Sequence, residues 1–305
     1  MVHVLGAGSL GLLWAARLAN AGVEVRLILR DVQALQRWQA ADSALMFEHA
    51  GQCRRVLLPA QLAGTPGQPI SQLLVATKAY AAQAALQSVA MRLQPGASIL
   101  MLQNGMGSQQ AASLAFAQQQ VLYASVTDGA WMPAPGHVIW AGQGQTLIGD
   151  PVGAACPQWL RQIDRQTIDW QWHTQILDSL WHKLAVNCAI NPYTALHDCR
   201  NGEVPGRAGA QFALLIDELH ALLCSQTSGC TRAELGERIH QVIARTAANS
   251  SSMRQDIHAR RRTEISYITG YARGAAHRAG LATPVLDQLH GALETHLATL
   301  ALPSN

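Results

Sequence analysis

The stretch VHVLGAGSLG, residues 2–11, joins a short apolar run to a glycine-rich turn and the start of a helix-forming segment. Its glycines, Gly6, Gly8 and Gly11, have the spacing GxGxxG. In such a turn the first glycine permits a tight bend, the second lets the backbone approach a phosphate, and the third lets the helix pack closely on the strand. The helix N-terminus then offers N–H groups to negative charge. We therefore expect a dinucleotide-binding domain, with these residues at the cofactor: Gly6, Ala7, Gly8, Ser9, Leu10 and Gly11.

The sequence that follows alternates apolar strand-like runs, such as EVRLIL, QLLVAT and ASILML, with helix-forming segments. This alternation is typical of βαβ units and a parallel sheet. Two further runs, GHVIWA and QTLIGD, are expected at the edge of the same sheet. Beyond about Trp172 the chain has few strand-like runs and many helix formers. The predicted fold is an α/β Rossmann-type domain over residues 1–172, followed by an all-α domain over residues 173–305.

Composition excludes several classes of function. The chain has 305 residues, a formal net charge of +3 and only 13% charged residues, and its arginines are mostly scattered, which does not indicate a nucleic-acid partner. No apolar run is long enough for a membrane span, and no secretory signal opens the sequence. The six cysteines have no spacing typical of a disulfide scaffold or a metal site. We expect a cytoplasmic protein that has a small-molecule substrate and no metal, and we expect it to form a homodimer.

The end of the second strand, LILRD, bears on cofactor choice. An acid near this position contacts the ribose of NAD, whereas an arginine accommodates the 2′-phosphate of NADP. Arg30 and Asp31 both occur here. Adjacent strand residues point to opposite faces, so only one of the two can face the ribose. We favour Arg30, because a carboxylate would repel a phosphate, and so expect NADPH as the cofactor; an exposed Arg30 with Asp31 as the ribose contact is the alternative.

Lysine is nearly absent from this chain: Lys78 and Lys183 are the only two. Lys78 follows a predicted strand, at the sheet edge where α/β proteins bind ligands, and we expect it to contact the cofactor. Asn104 ends the next strand in a predicted Asn-Gly turn, which could bring an amide to the nicotinamide end of the cofactor.

The second lysine lies in SLWHKLAVNCAINPY, residues 179–193. Lys183, Asn187 and Asn191 recur every four residues, so they form a polar stripe on an otherwise apolar helix. Pro192 disfavours helical geometry at Asn191, and we expect the helix to kink or break there. An exposed helix face is the plain alternative to a site.

Taken together, these motifs resemble those of the ketopantoate reductases, the NADPH-dependent 2-dehydropantoate 2-reductases. The resemblance covers nearly the whole chain and is carried by LGAGSLG, TKAY, LQNGMG, WHKLAVNCAINPYTAL, RNGE and SSMRQDIHARRRTEISYITGY, in this order. It implies a C-terminal domain like that of 6-phosphogluconate dehydrogenase. It also implies that Lys183 is the general acid. The substrate contacts it implies are Asn104, Lys183, Asn187, Asn191, Asn201 and Ser252. The residues it places near the cofactor are Arg30, Lys78, Asn104, Ala130 and Glu264.

The implied reaction is reduction of a 2-keto acid with NADPH, yielding a 2-hydroxy acid and NADP+. The sequence departs from the family in reading TEIS, with Ser266 where an acid is common, and in the dense arginine run 260–262. Two other readings remain open: a β-hydroxyacid dehydrogenase, which also has a K-x-x-x-N helix, and an NADPH-binding regulator that lost turnover.

Overall fold

The structure is a computed structural model that describes residues 1–303 and divides into two compact units. The first comprises residues 1–103 and 108–176. The second comprises residues 104–107 together with the chain from residue 177 onward. As the sequence predicts, the first unit is α/β and the second is helical.

Twelve strands and five helices belong to the first unit. The strands are β1 (Val2–Leu5), β2 (Val25–Leu29), β3 (Ala44–His49), β4 (Gln52–Leu57), β5 (Ala60–Leu62), β6 (Ile70–Val75), β7 (Leu93–Met101), β8 (Gln120–Val126), β9 (Gly129–Ala134), β10 (His137–Gly142), β11 (Thr146–Gly149) and β12 (Trp170–Trp172). The helices are α1 (Ser9–Asn20), α2 (Val32–Ala40), α3 (Ala79–Gln87), α4 (Ser108–Ala115) and α5 (Gln158–Arg161).

Eight of the strands form the main sheet, in the order β12-β11-β8-β7-β6-β1-β2-β5. Pairing is parallel throughout except between β8 and β11. Six adjacent strands, β5-β2-β1-β6-β7-β8, follow the 3-2-1-4-5-6 order of a doubly wound dinucleotide-binding sheet. The chain reverses direction in the sheet beside β1, so the glycine-rich turn lies at the switch point where such sheets bind ligands.

The other four strands form a separate sheet in the order β4-β3-β10-β9. The expectation that GHVIWA lies at the edge of the main sheet is therefore wrong, because β10 pairs with β9 as a hairpin and with β3 in parallel. QTLIGD does join the main sheet, but as β11 between β8 and β12, and not at the edge. Short apolar runs specify a strand but not its partner, which tertiary packing selects.

The close packing of α1 against the end of β1 depends on two glycines. Gly6 has a φ of +107°, which L side chains rarely adopt. A Cβ built on Gly11 would lie 2.0 Å from the carbonyl oxygen of Gly6. The helix can therefore start this close to the strand only if position 11 lacks a side chain.

Seven helices make up the second unit within the described residues: α6 (Ile176–Leu196), α7 (Val204–Ala208), α8 (Gln211–Gln226), α9 (Arg232–Arg245), α10 (Ser252–His258), α11 (Thr269–Arg278) and α12 (Pro284–Thr299). Short 3-10 turns lie at Asn201–Glu203 and Ile265–Tyr267. Packing of α8 against α9 and α12, and of α11 against α12, encloses buried leucines such as Leu219, Leu289 and Leu293. Within residues 1–303, no helix is long and apolar enough to cross a membrane.

Helix α6 does not break at Pro192, so that one of the two outcomes expected from sequence, a kink or a break, is wrong. It continues through the proline to Leu196. The turn beyond the proline is buried, with Tyr193 5% and Ala195 3% exposed, and the Thr194 hydroxyl donates to the Asn191 carbonyl at 2.8 Å. Burial of this last turn favours the helical path over the local preference of the residue before proline.

Replacing Gly11 with alanine is expected to lower the free energy of unfolding by about 1–3 kcal/mol, the usual cost of overpacking. The new Cβ would meet the Gly6 carbonyl oxygen at 2.0 Å. Thermal or urea unfolding measures the change. Gly291→Ala in α12 is the matched control, because a Cβ there meets nothing within 4 Å and alanine favours the helix. An unfolding midpoint of Gly11→Ala at or above that of the parent protein would contradict the packing argument.

Candidate active site

The glycine-rich turn of the first unit has the features that a pyrophosphate requires. Helix α1 begins at Ser9, and its N-cap residue Gly8 supplies no side-chain hydrogen bond to the first turn. No acidic residue lies in that turn. A Cβ built on Gly8 meets nothing within 4 Å, so the backbone there borders open space. Backbone N–H groups at a helix start without a capping side chain can bind an anion, and the turn therefore fits the phosphates of a dinucleotide.

Arg30 and Asp31 both lie after β2, which ends at Leu29. The expected strand alternation therefore does not apply to this pair, and Arg30 Nε donates to Asp31 Oδ2 at 3.0 Å. Asp31 is also the N-cap of α2, where its carboxylate accepts from the Ala34 N–H at 2.8 Å. These two hydrogen bonds, from Ala34 and then Arg30, lower the pKa of Asp31. The Arg30 side chain is 92% exposed, so its guanidinium has room to meet a ligand.

Two further residues expected near the cofactor lie in different parts of this unit. Lys78 follows β6 and is the N-cap residue of α3, with extended backbone and partial exposure. Ala130 lies on β9 of the smaller sheet, where it packs partly against the apolar core.

Lys183 is the central residue of the candidate site in the second unit. Its side chain comes from α6, and Nζ donates to Asn104 Oδ1 at 3.0 Å. The residue keeps some exposed surface, but removal of its ammonium from water lowers the pKa of Lys183 to about 8, a shift that the negative charge of Glu264 opposes. Glu264 is itself only 4% exposed. The site thus holds an ammonium whose proton is more easily released than that of an ordinary lysine.

Asn104 is positioned by the loop 104–107, which groups with the helical unit. Gly105 has a φ of +75°, and a Cβ there would lie 2.3 Å from the carbonyl oxygen of Tyr267. The same carbonyl accepts from the N–H of Met106 at 2.8 Å. Glycine is required at position 105 both for the turn and for this close approach, and the result is that the Asn104 amide is held against Lys183.

The polar stripe of α6 continues from Lys183 to two asparagines. Asn187 is partly exposed, while Asn191 is 8% exposed. One helical turn beyond, the Thr194 hydroxyl lies 2.6 Å from that of Ser251. The stripe therefore runs from the lysine toward the start of α10.

Two predicted substrate contacts, Asn201 and Ser252, lie outside the polar stripe of α6. Asn201 is buried, its Nδ2 donates to Thr246 Oγ1 at 2.9 Å, and its Oδ1 has no hydrogen-bond partner within the described chain. Ser252 is exposed at the first residue of α10. Its neighbour Ser251, which the sequence analysis did not single out, is the N-cap of that helix and the residue that contacts α6. A serine directly before a helix-forming run is the one signal that could have identified it.

Comparison with known proteins extends over both units. The family described as "Ketopantoate reductase PanE/ApbA" matches residues 2–153, and its C-terminal counterpart matches residues 175–296. The 2-dehydropantoate 2-reductase of Vibrio cholerae serotype O1 is 36% identical over 297 residues, 96% of this chain and 97% of that protein.

Solved structures agree in fold. Probable 2-dehydropantoate 2-reductase panE from Bacillus subtilis is 26% identical, with a TM-score of 0.81 over 96% of this chain and 99% of its own. D-mandelate dehydrogenase, in a ternary structure with NADH and anilino(oxo)acetate, has a TM-score of 0.89 at 21% identity and covers 99% of both chains, which shows a shared fold. With family matches to both parts of the chain and 36% identity across nearly its whole length, this protein belongs to the ketopantoate reductase PanE/ApbA family of oxidoreductases.

Proposed function

We propose that this protein reduces 2-dehydropantoate (ketopantoate) to (R)-pantoate with NADPH, a step of pantothenate and coenzyme A biosynthesis. The observation that carries the proposal is the desolvated Lys183 ammonium hydrogen-bonded to Asn104, in a chain of this family. The proposal includes a cytoplasmic enzyme whose partner is a small 2-keto acid, and a homodimer is its simplest assembly. Domains of residues 1–172 for the cofactor and 173–305 for the substrate are part of the same proposal.

The reaction needs a hydride and a proton. A reduced dinucleotide, when bound, would supply the hydride, and negative charge would develop on the keto oxygen as its carbon is reduced. An ammonium stabilises that charge and donates the proton. Lys183 suits this role because its pKa of about 8 allows both a charged resting state and proton release near neutral pH. Asn104 accepts one ammonium hydrogen and so directs the others.

The remaining polar residues bind and orient the substrate. Asn187 and Asn191 lie on the same helix as the lysine and offer amides without competing charge. We retain Asn201 and Ser252 as substrate contacts on the strength of the family resemblance. The unsatisfied Oδ1 of Asn201 supports the first of these, because a buried acceptor without a partner favours a hydrogen-bond donor such as a substrate hydroxyl.

The glycine turn, residues 6–11, would hold the cofactor phosphates, with Lys78, Asn104, Ala130 and Glu264 as further cofactor contacts. NADPH rather than NADH is proposed on the basis of Arg30. With the Asp31 carboxylate engaged as the cap of α2, the exposed guanidinium is the group available to a 2′-phosphate.

Arg30→Ala is expected to reduce the preference for NADPH over NADH roughly ten- to a hundredfold. This is the change in affinity expected from losing one charge-assisted contact to phosphate. Steady-state kcat/KM with each cofactor measures this. Arg54→Ala removes the same charge from an exposed arginine of β4, whose side chain donates to Gln52, and it should leave the preference unchanged. Equal use of both cofactors by the parent protein would favour Asp31 as the ribose contact.

Substitution of Lys183 by alanine is expected to lower kcat at least about a thousandfold with ketopantoate, since both proton donation and charge stabilisation are lost. NADPH binding and the unfolding midpoint should change little. Lys183→Arg keeps the charge but does not release a proton, so it should restore keto-acid binding better than turnover. Asn187→Ala, which removes only an amide, should cost less. Retention of more than a tenth of the parent kcat in Lys183→Ala would assign proton donation to another group. A panel of 2-keto acids tests the choice of substrate.

The pKa of Lys183 also sets the expected pH dependence. The ammonium is charged below its pKa of about 8 and neutral above it, so kcat/KM for reduction should fall as the pH rises through this value. Glu264 raises that pKa, and Glu264→Gln should therefore move the alkaline limb of the profile to lower pH. Glu237→Gln on the exposed face of α9 is the control. An alkaline limb that stays in place or moves upward in Glu264→Gln would contradict the assignment.

A further inference from the structure

Three side chains with metal-binding atoms meet on one face of the smaller sheet: Glu48 on β3, Cys53 on β4 and His137 on β10. Their ligand atoms all lie within 4.8 Å of one another. His137 Nε2 is 3.1 Å from Glu48 Oε2. None of the three belongs to the residues proposed for the cofactor, the substrate or the catalytic proton.

A tight hairpin fixes the first two ligands. Ala50 and Gly51, between β3 and β4, both have positive φ, 49° and 75°. This is the backbone of a two-residue turn whose twist matches the flanking strands. The turn sets the register in which Glu48 lies directly opposite Cys53. Residues in that relation share a face of the sheet, with Cβ atoms about 5 Å apart.

The third ligand comes from the neighbouring strand on the other side of β3. His137 pairs in parallel with Met46, and residues two apart on a strand face the same way. His137 therefore shares a face with Met46 and with Glu48 two residues further on. The central strand of the three supplies the carboxylate, and its two neighbours supply the thiol and the imidazole.

We infer that Glu48, Cys53 and His137 form a Zn²⁺ site on this sheet. A thiolate, an imidazole and a carboxylate are the ligand types that zinc binds, and three protein ligands leave a further tetrahedral position for water. Binding replaces the thiol proton of Cys53, which passes to solvent, with a bond from sulfur to the metal. No group changes oxidation state.

The distances and charges suit this ion. Metal–ligand bonds of about 2.0–2.3 Å place tetrahedral ligands about 3.5 Å apart, so the present spacing needs a contraction of roughly 1 Å. Cys53 is exposed, and the side chains of His137 and Glu48 are 29% and 32% exposed, so rotation can supply it. The nearby Arg55, on the same face as Cys53, donates to Asp42 at 2.8 Å, which directs its positive charge to another carboxylate.

Such an ion would cross-link three adjacent strands of the smaller sheet. β4 lies at the edge of the small sheet, and β10 is two strands away. Cys53 and His137 are far apart in sequence, so a bond through the metal closes a long loop and reduces the entropy of the unfolded chain. The expected effect is stabilisation of the smaller sheet rather than participation in the reaction.

The test uses full-length protein without a histidine tag, stripped of metal by a chelator and titrated with Co²⁺ as a spectroscopic substitute for zinc. One equivalent should produce the thiolate-to-cobalt charge-transfer absorption, and Zn²⁺ should displace it. Cys53→Ser should abolish the absorption. His137→Gln should weaken Zn²⁺ binding at least about tenfold, because even supporting groups around a metal contribute that much. Zn²⁺ should raise the thermal midpoint of the parent protein and not that of Cys53→Ser.

Cys224→Ser is the matched control. Cys224 is also exposed and has a histidine close by, with Sγ 3.3 Å from His220 Nε2. This variant should bind Co²⁺ like the parent protein. The site is refuted if the parent gives no thiolate absorption with Co²⁺, if Cys53→Ser retains it, or if it is lost in Cys224→Ser. Circular dichroism of each variant separates loss of a ligand from loss of the fold.

Discussion

Lys183 imposes a single electrostatic constraint on which the arrangement of the helical unit depends. An ammonium removed from water is costly unless other groups replace its hydration. Here the replacement comes from two stretches far from α6 in sequence: Asn104 accepts a hydrogen bond, and the buried Glu264 supplies negative charge. The balance leaves the pKa of Lys183 at about 8. Stronger pairing with a carboxylate would raise the pKa of Lys183 above this value, and loss of the Glu264 charge would lower it.

Backbone contacts between loop 104–107 and the turn at Ile265–Tyr267 hold Asn104 beside Lys183. The carbonyl of Tyr267 accepts from Met106, and it approaches Gly105 so closely that only glycine fits. A contact between two backbones therefore sets the place of the Asn104 amide. A polar group holds its geometry best when its surroundings are rigid, and these backbone contacts support the Asn104 amide that accepts from Lys183.

In the glycine-rich turn, structural and chemical requirements fall on different residues. Gly6 and Gly11 are fixed by conformation and by the close approach of α1, and substitution there meets backbone atoms. Gly8 borders open space, so the fold itself does not exclude a side chain at that position. Open space at this position is what the proposed phosphate site needs. The same division holds beside β2, where Asp31 caps α2 and leaves the Arg30 side chain exposed.

The sequence by itself determined the class of both units, because the periodicity of apolar residues and the glycine spacing are local properties of the chain. It also singled out Lys183 and Asn104 through residue types and turn signals, and Glu264 through the family resemblance, without the geometry that brings the three together. It did not determine that GHVIWA pairs in a second sheet, that α6 continues through Pro192, or that Ser251 contacts α6. Nor did cysteine spacing indicate the group formed by Glu48, Cys53 and His137, since its members come from a hairpin and a distant strand. Only the tertiary structure decided these points, because strand partners, burial of a helical turn and the desolvation of an ammonium depend on residues distant in sequence.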